Sequence, residues 1–304
     1  MSTTSFGVTY PAGLQARVDL RAYVEHTEAL GYDGLWVIEN FGTGTPGYEC
    51  LTLLSYAAAC SKHLTLGTSV LLLPLRNPVL LAHAMTTVDQ LSGGRLVLGV
   101  GVGGEDHHAA TGSDPRTRGA RCEEYLQLLT ELMGSETPVS FDGNHVAVMD
   151  YELLPRSVQK PQVPVWVGGH ADKALARAAR LAQGVIPVGL SPSACAELYA
   201  KLDTQTETLG RPSLARAAHV YLCLSDNEQQ GLRTTSEVIS ARFNSTYTIA
   251  SASPHFIGTV EQCRAQLSAF LNAGVNHFII DPGCVLDETP AQIERFKREV
   301  IDAR

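Results

Sequence analysis

LSGGRLVLGVGVGG, residues 91–104, is the stretch whose reading decides the fold. An apolar helix end, a tight Gly93-Gly94 turn, an apolar strand and a glycine-rich strand exit follow one another without a gap. That order is one α/β unit delivering bare backbone to the carboxyl end of a strand, where such folds bind their ligands. Gly99, Gly101, Gly103 and Gly104 carry no Cβ, so the chain at this exit can adopt unusual dihedrals and approach a flat ring or a phosphate closely.

Outward from this unit, short β-branched or Leu-rich runs at 6–9, 34–38, 64–71, 95–101, 163–168, 185–188, 217–224 and 275–280 alternate with stretches of helical period. Leu81, Ala84, Met85, Val88 and Leu91 form one apolar helix face, and Cys263, Leu267, Phe270 and Leu271 form another. Eight strands separated by helices predict a closed parallel (β/α)8 barrel of the TIM type, and 304 residues suit one such domain over 1–304. PVSFDGNHVAV (138–148) places Asp142-Gly143-Asn144 between two alternating runs, which predicts a small insertion hairpin outside the barrel. Residues 226–254 read as helical but mixed, equally a barrel helix or a lid.

A net charge of −8 without a Lys/Arg cluster argues against nucleic acid or an anionic membrane surface as partners. Seven cysteines stand without a CxxC pair, and the start MSTTSFGVTY lacks the basic end and apolar core of a signal peptide. The expectation is a cytoplasmic protein with reduced thiols. No apolar run approaches the roughly 20 residues needed to cross a bilayer. GTSVL (67–71) lacks the second glycine of a GxSxG elbow, so a hydrolase nucleophile is not supported. GVGVGG ends a strand instead of opening a dinucleotide fingerprint, and no metal site is expected, because no HExxH spacing accompanies the adjacent His107 and His108.

Five motifs in order, LGTSVLLLPLRNP (66–78), LSGGRLVLGVGVGG (91–104), RTRGAR (116–121), PQVPVWVGG (161–169) and FIGTVEQCRAQLSAFLNAGVNHFIID (256–281), together resemble the bacterial-luciferase-like superfamily of flavin and deazaflavin oxidoreductases. Their wording is most similar to actinobacterial enzymes dependent on coenzyme F420. The resemblance implies an oxidoreductase that moves a hydride between the deazaflavin C5 and a small organic substrate bearing C=C, C=N or C=O. Two alternatives accompany it: an FMN-dependent monooxygenase, and a homologue that binds flavin without turnover. It also implies a non-prolyl cis peptide at Ser69-Val70 against the middle of the ring, with Gly101, Gly103 and Gly104 at the fourth strand exit. Gly168 and Gly169 fall at the fifth exit, followed by a helix over 170–181 that begins at His170 and turns its first amides to a phosphate. Val188 and Gly189 fall at the sixth, and a homodimer is a common state of the family.

The chain departs from that pattern where relatives end the second strand in Asp-His, for here it reads Glu39-Asn40. Asn40 can hydrogen-bond a substrate or a cofactor carbonyl but cannot supply a proton, so Glu39 or a neighbouring histidine has to replace the acid. His107 and His108, in the loop EDHH (105–108), are candidates for proton delivery, since imidazole titrates near pH 6.5, roughly. Their plain alternative is a solvated loop. Glu39 reads either as a buried general acid or as a salt-bridged structural residue. Arg76 and Asn77 order the turn before Pro78, Trp166 reads as core, and Tyr10 could line the cleft. Arg116, Arg118 and Arg121 are either a structural network or contacts to an anionic tail. The loops 40–49, 104–115 and 226–254 shape the substrate pocket.

Overall fold

Eight parallel strands close a ring: β1 (Ser5–Thr9), β2 (Gly34–Val37), β3 (Thr65–Thr68), β4 (Leu96–Gly101), β5 (Val165–Gly168), β6 (Gly184–Ile186), β7 (Ala215–Leu224) and β8 (His277–Pro282). Each pairs with the next, and β8 returns to β1 through Ser5↔His277 and Val8↔Ile280. The computed structural model describes residues 4–11, 19–41, 47–250 and 254–303. The expectations for the first residues, and parts of the loops 40–49 and 226–254, lie outside the described residues.

Two indoles explain the glycines inside the barrel strands at residues 7, 67 and 184. Trp36 and Trp166 meet inside the barrel with ring centroids 5.3 Å apart, packed with Val97, Ile186, Ala217 and Ile279. A Cβ on Gly7 would stand 2.4 Å from the Trp36 ring, one on Gly67 2.2 Å from it, and one on Gly184 2.6 Å from Trp166. The interior is therefore a packed core with the functional surface at its carboxyl end. Around it the helices bury their apolar stripes; Pro78–Ser92 is capped by Asn77, which accepts from the amides of Val79 and Leu80, and is ended by Gly93 at φ 68°.

Several boundaries differ from expectation for visible reasons. The run 64–71 is broken after Thr68, and pairing resumes only at Leu71–Leu72, against Val100 and Gly101. The last barrel strand begins at His277 instead of 275, because Gly274 (φ 87°) and the amide of Val275, bonded to the Phe270 carbonyl at 3.1 Å, still close the preceding helix. A short strand, Phe256–Gly258, adds to the end of β7 outside the ring. The insertion is the expected antiparallel hairpin, Val139–Asp142 with Ala147–Tyr151, and the Glu124 carboxylate holds its turn by accepting from the amides of Asn144, His145 and Val146. Residues Glu228–Phe243 form a regular helix after β7, and its Arg242 reaches into the barrel mouth. All seven cysteines are unpaired, and among the described residues no helix is long and apolar enough to cross a membrane.

Candidate active site

At the carboxyl ends of the strands, Ser69 and Val70 form the floor of the mouth, joined by a cis peptide. Val70 is half-buried and turns its side chain across to the fourth and fifth exits. A Cβ on Gly101 would lie 2.6 Å from Val70 Cγ2, and one on Gly168 2.8 Å from Val70 Cγ1. These two glycines thus make room for the valine. Gly103 (φ 75°), Gly169 (φ 105°) and Gly189 (φ 70°) differ: the backbone requires glycine there, while an added Cβ would meet only ordinary contacts beside Gly103 and Gly169 and open space beside Gly189. Gly104 precedes the short helix Glu105–Ala110, and Val188 and Gly189 are exposed at the sixth exit.

Beside the fifth exit runs a groove of about 730 Å³ lined by Gly168, Gly169 and His170 together with Arg116, Arg118, Lys173 and Arg177. The expected helix over 170–181 begins two residues later, at Asp172, because Gly169 and the extended Ala171 carry the chain away first. His170 is therefore an exposed loop residue on the groove wall and not the start of the helix. Arg116 is partnered by Asp114 at 2.9 Å and Arg118 approaches Glu105 at 4.0 Å, while no ion pair joins Lys173 among the described residues.

Glu39 is buried and both its oxygens are engaged, one by the Arg76 guanidinium and the other by the amide of Leu72. Arg76 also donates to Glu49 at 2.8 Å. Although the ligand atoms of Glu39, Glu49 and Cys50 lie within 4.8 Å of one another, the Arg76 guanidinium bonds both carboxylates and lies 3.8 Å from the Cys50 sulfur. A fixed cation already serves that cluster, so a metal ion is not the group it fits. Asn77 is spent on its helix cap.

Asn40 is buried with its Nδ2 unpartnered among the described residues, and the same holds for Nδ1 of the partly buried His107. Phe41 and His107 meet edge-on at 5.3 Å, which brings the second and fourth exits together. His108 is placed differently. Its Nε2 faces the Val102 carbonyl at 2.8 Å and must donate, and its Nδ1 receives Arg121 at 3.2 Å and Ser113 at 2.7 Å. These partners assign the neutral Nε2–H tautomer and leave neither nitrogen free. Trp166 is core, and buried Tyr10 packs on Tyr23, its hydroxyl pushed up to about 12 by burial first and then by Tyr48 and Asp19.

Sequence reading missed a buried network beneath the floor. Ser69 Oγ lies 2.7 Å from His219 Nδ1, and His219 Nε2 lies 3.4 Å from Asp281. Asp281 accepts from Arg242 Nη1 at 2.8 Å through both oxygens and from Thr9 Oγ1 at 2.8 Å. Burial alone would raise the Asp281 carboxyl, but Arg242, His219 and Thr9 outweigh it and hold it down to about 2. Behind His219, Tyr221 meets His255 at a tilt, with ring centroids 4.7 Å apart, and burial, then the nearby His219, lowers His255 to about 4. The only sequence signal was one histidine within the apolar strand AAHVYL and one aspartate ending FIID.

The comparisons with known proteins agree with this architecture. The family described as luciferase-like monooxygenase matches residues 2–255. The chain is 24% identical to an F420-dependent glucose-6-phosphate dehydrogenase of Amycolatopsis mediterranei over 86% of this chain and 87% of that protein. It is 34% identical to the enzyme of the same description from Beutenbergia cavernae over 66% of this chain, spanning only 58% of that protein. Among solved structures, an F420-dependent secondary alcohol dehydrogenase in complex with an F420-acetone adduct superposes with a TM-score of 0.84 at 18% identity, covering 99% of both chains. That likeness shows the shared fold.

Proposed function

Because the chain belongs to the luciferase-like monooxygenase family, we propose that it is a coenzyme F420-dependent oxidoreductase transferring a hydride between the deazaflavin C5 and a small C=O, C=N or C=C substrate. The observation that carries this reading is the groove beside Gly168 and Gly169, where Arg116, Arg118 and Lys173 outnumber Glu105, and where buried Arg177, held by the Gly119 carbonyl and beside Glu123, backs the wall. Such a lining suits a cofactor with a long polyanionic tail. The relatives named for F420 support the same choice. The residues fit the group on two further counts: among the described residues the buried Asn40 Nδ2 and His107 Nδ1 have no partner, and Gly103, Gly169 and Gly189 hold positive φ at the strand exits without a clash beside them.

When bound, the deazaflavin supplies the hydride chemistry, and this chain supplies position, polarity and protons. Val70 sets the depth at which a flat ring rests, and Gly101 and Gly168 keep Val70 in place. Asn40 donates from Nδ2 to a carbonyl of substrate or cofactor. His107, with Nδ1 unspent, moves the substrate's proton, whereas His108 holds the fourth loop through Val102 and Arg121. Glu39 fixes Arg76 and the amide of Leu72, and so the wall beside Asn40. The backbone at Gly103, Gly104, Gly169 and Gly189, with His170, borders the anionic part.

Anaerobic mixing of the protein with F420 and a panel of alcohols, sugar phosphates, imines and enones tests this directly. A substrate-dependent change of the deazaflavin absorbance is expected, and its absence across the panel opposes the reading. The family's own description favours a second reading, an FMN monooxygenase, which oxygen uptake coupled to substrate would reveal.

A further inference from the structure

Ser69 and His219 have no part in the roles assigned above. The carboxylate of Asp281 can only accept, so His219 Nε2 carries a hydrogen toward it. The partner of Nδ1 is a hydroxyl, which works in either direction. With a neutral ring, Ser69 donates to Nδ1. With a charged ring, Nδ1–H donates to Ser69 Oγ, and the serine hydrogen is released toward the mouth, where the adjoining Val70 is half-buried. His108 lacks this freedom, because a backbone carbonyl and a guanidinium each work in one direction only.

The groups facing His219 favour such an exchange. Asp281 on β8 is anionic, is anchored by Arg242 from the helix Glu228–Phe243 and by Thr9 on β1, and stabilises a charged imidazole. Tyr221, on the same strand, faces the ring at 6.2 Å, and His255 lies behind it, held neutral by burial. Ser69, His219 and Asp281 are each at most 5% exposed, so the pair is shielded from solvent exchange.

We infer that Ser69 and His219 form a proton-exchange pair at the floor of the cleft, serving the ring nitrogen that gains or loses a proton when a bound deazaflavin accepts or yields a hydride. The inference rests on the F420 reading. As the hydride and its electron pair pass from a substrate carbon to C5, the Ser69 O–H bond breaks toward the ring nitrogen and the Nδ1–H bond breaks toward Ser69 Oγ. Serine ends unchanged and His219 passes from imidazolium to imidazole. The reverse reaction recharges it. Ser69 is the catalytic residue, and His219 is a positioning residue acting through it.

The test is binding, not turnover. Dissociation constants for oxidised and reduced F420 are measured anaerobically between about pH 5 and 8 for the wild type, His219→Gln and Ser69→Ala. The oxidised complex holds one more proton on His219 than the reduced complex, so the ratio Kd(reduced)/Kd(oxidised) rises as pH falls. This rise is up to about tenfold per pH unit steeper in the wild type than in either variant. Glutamine can still hydrogen-bond Ser69, so oxidised F420 should bind His219→Gln within about threefold of the wild type. Identical pH dependence in the wild type and both variants, with F420 bound by all, overturns the pair and leaves the F420 reading intact. Failure of the wild type to bind F420 overturns both. Ser69→Ala carries the same expectation from the other side of the hydrogen bond should His219→Gln not fold.

Discussion

Val70 and Gly101 interlock: the Cγ2 of Val70 stands 2.6 Å from where a Cβ on residue 101 would be. The glycine-rich exit is therefore shaped at this point by a side chain of the chain itself. Gly101→Ala should cost about 1–3 kcal/mol, the usual penalty of overpacking. Urea unfolding of the single variant and of Val70→Ala/Gly101→Ala checks it, and the double variant should regain most of the loss.

Gly103 makes the opposite case. Its φ is 75° and the nearest atom to an added Cβ is 3.5 Å away, so a side chain meets backbone strain and not a clash. Gly103→Val should lower F420 affinity at least tenfold while the barrel stays folded, as circular dichroism would show. Unchanged affinity would remove Gly103 from the site.

Arg242→Met leaves the buried Asp281 carboxylate without its guanidinium, with only Thr9 and His219 still facing it, which costs about 3 kcal/mol. In the wild type the Asp281 carboxyl, at about 2, lies below its unfolded value. Its contribution is complete above roughly pH 4 and disappears as pH falls through about 2. Denaturant melts over that range should show this acid loss in the wild type, and a smaller one in the variant.

His255 works through burial. Its folded value near 4 lies below the ordinary one, so the stability it allows is complete above roughly pH 6.5 and is lost as pH falls toward 4. His255→Gln should flatten this part of the stability profile by about 1–2 kcal/mol. Thermal melts of both proteins from neutral to mildly acidic pH decide it.

The barrel was legible because each of its strands is a local apolar run between helical periods, and the hairpin because Asp142-Gly143-Asn144 is a local turn signal. The glycines at residues 101 and 168 were legible as an exit, but not as the mates of Val70, since that contact joins the ends of two strands to the break that follows a third. The start at His170 was misplaced because a positive φ at Gly169 and an extended Ala171 leave no periodic trace. Ser69, His219, Arg242 and Asp281 meet from four elements with no shared spacing, so only the closed barrel assembles them.

The most direct measurement is a fluorescence titration of the purified protein with oxidised F420 and, in parallel, FMN at identical pH and salt. The account predicts that F420 binds at least tenfold more tightly, and that this preference weakens as salt screens the groove of Arg116, Arg118, Lys173 and Arg177. Preference for FMN, or binding of neither, would contradict it.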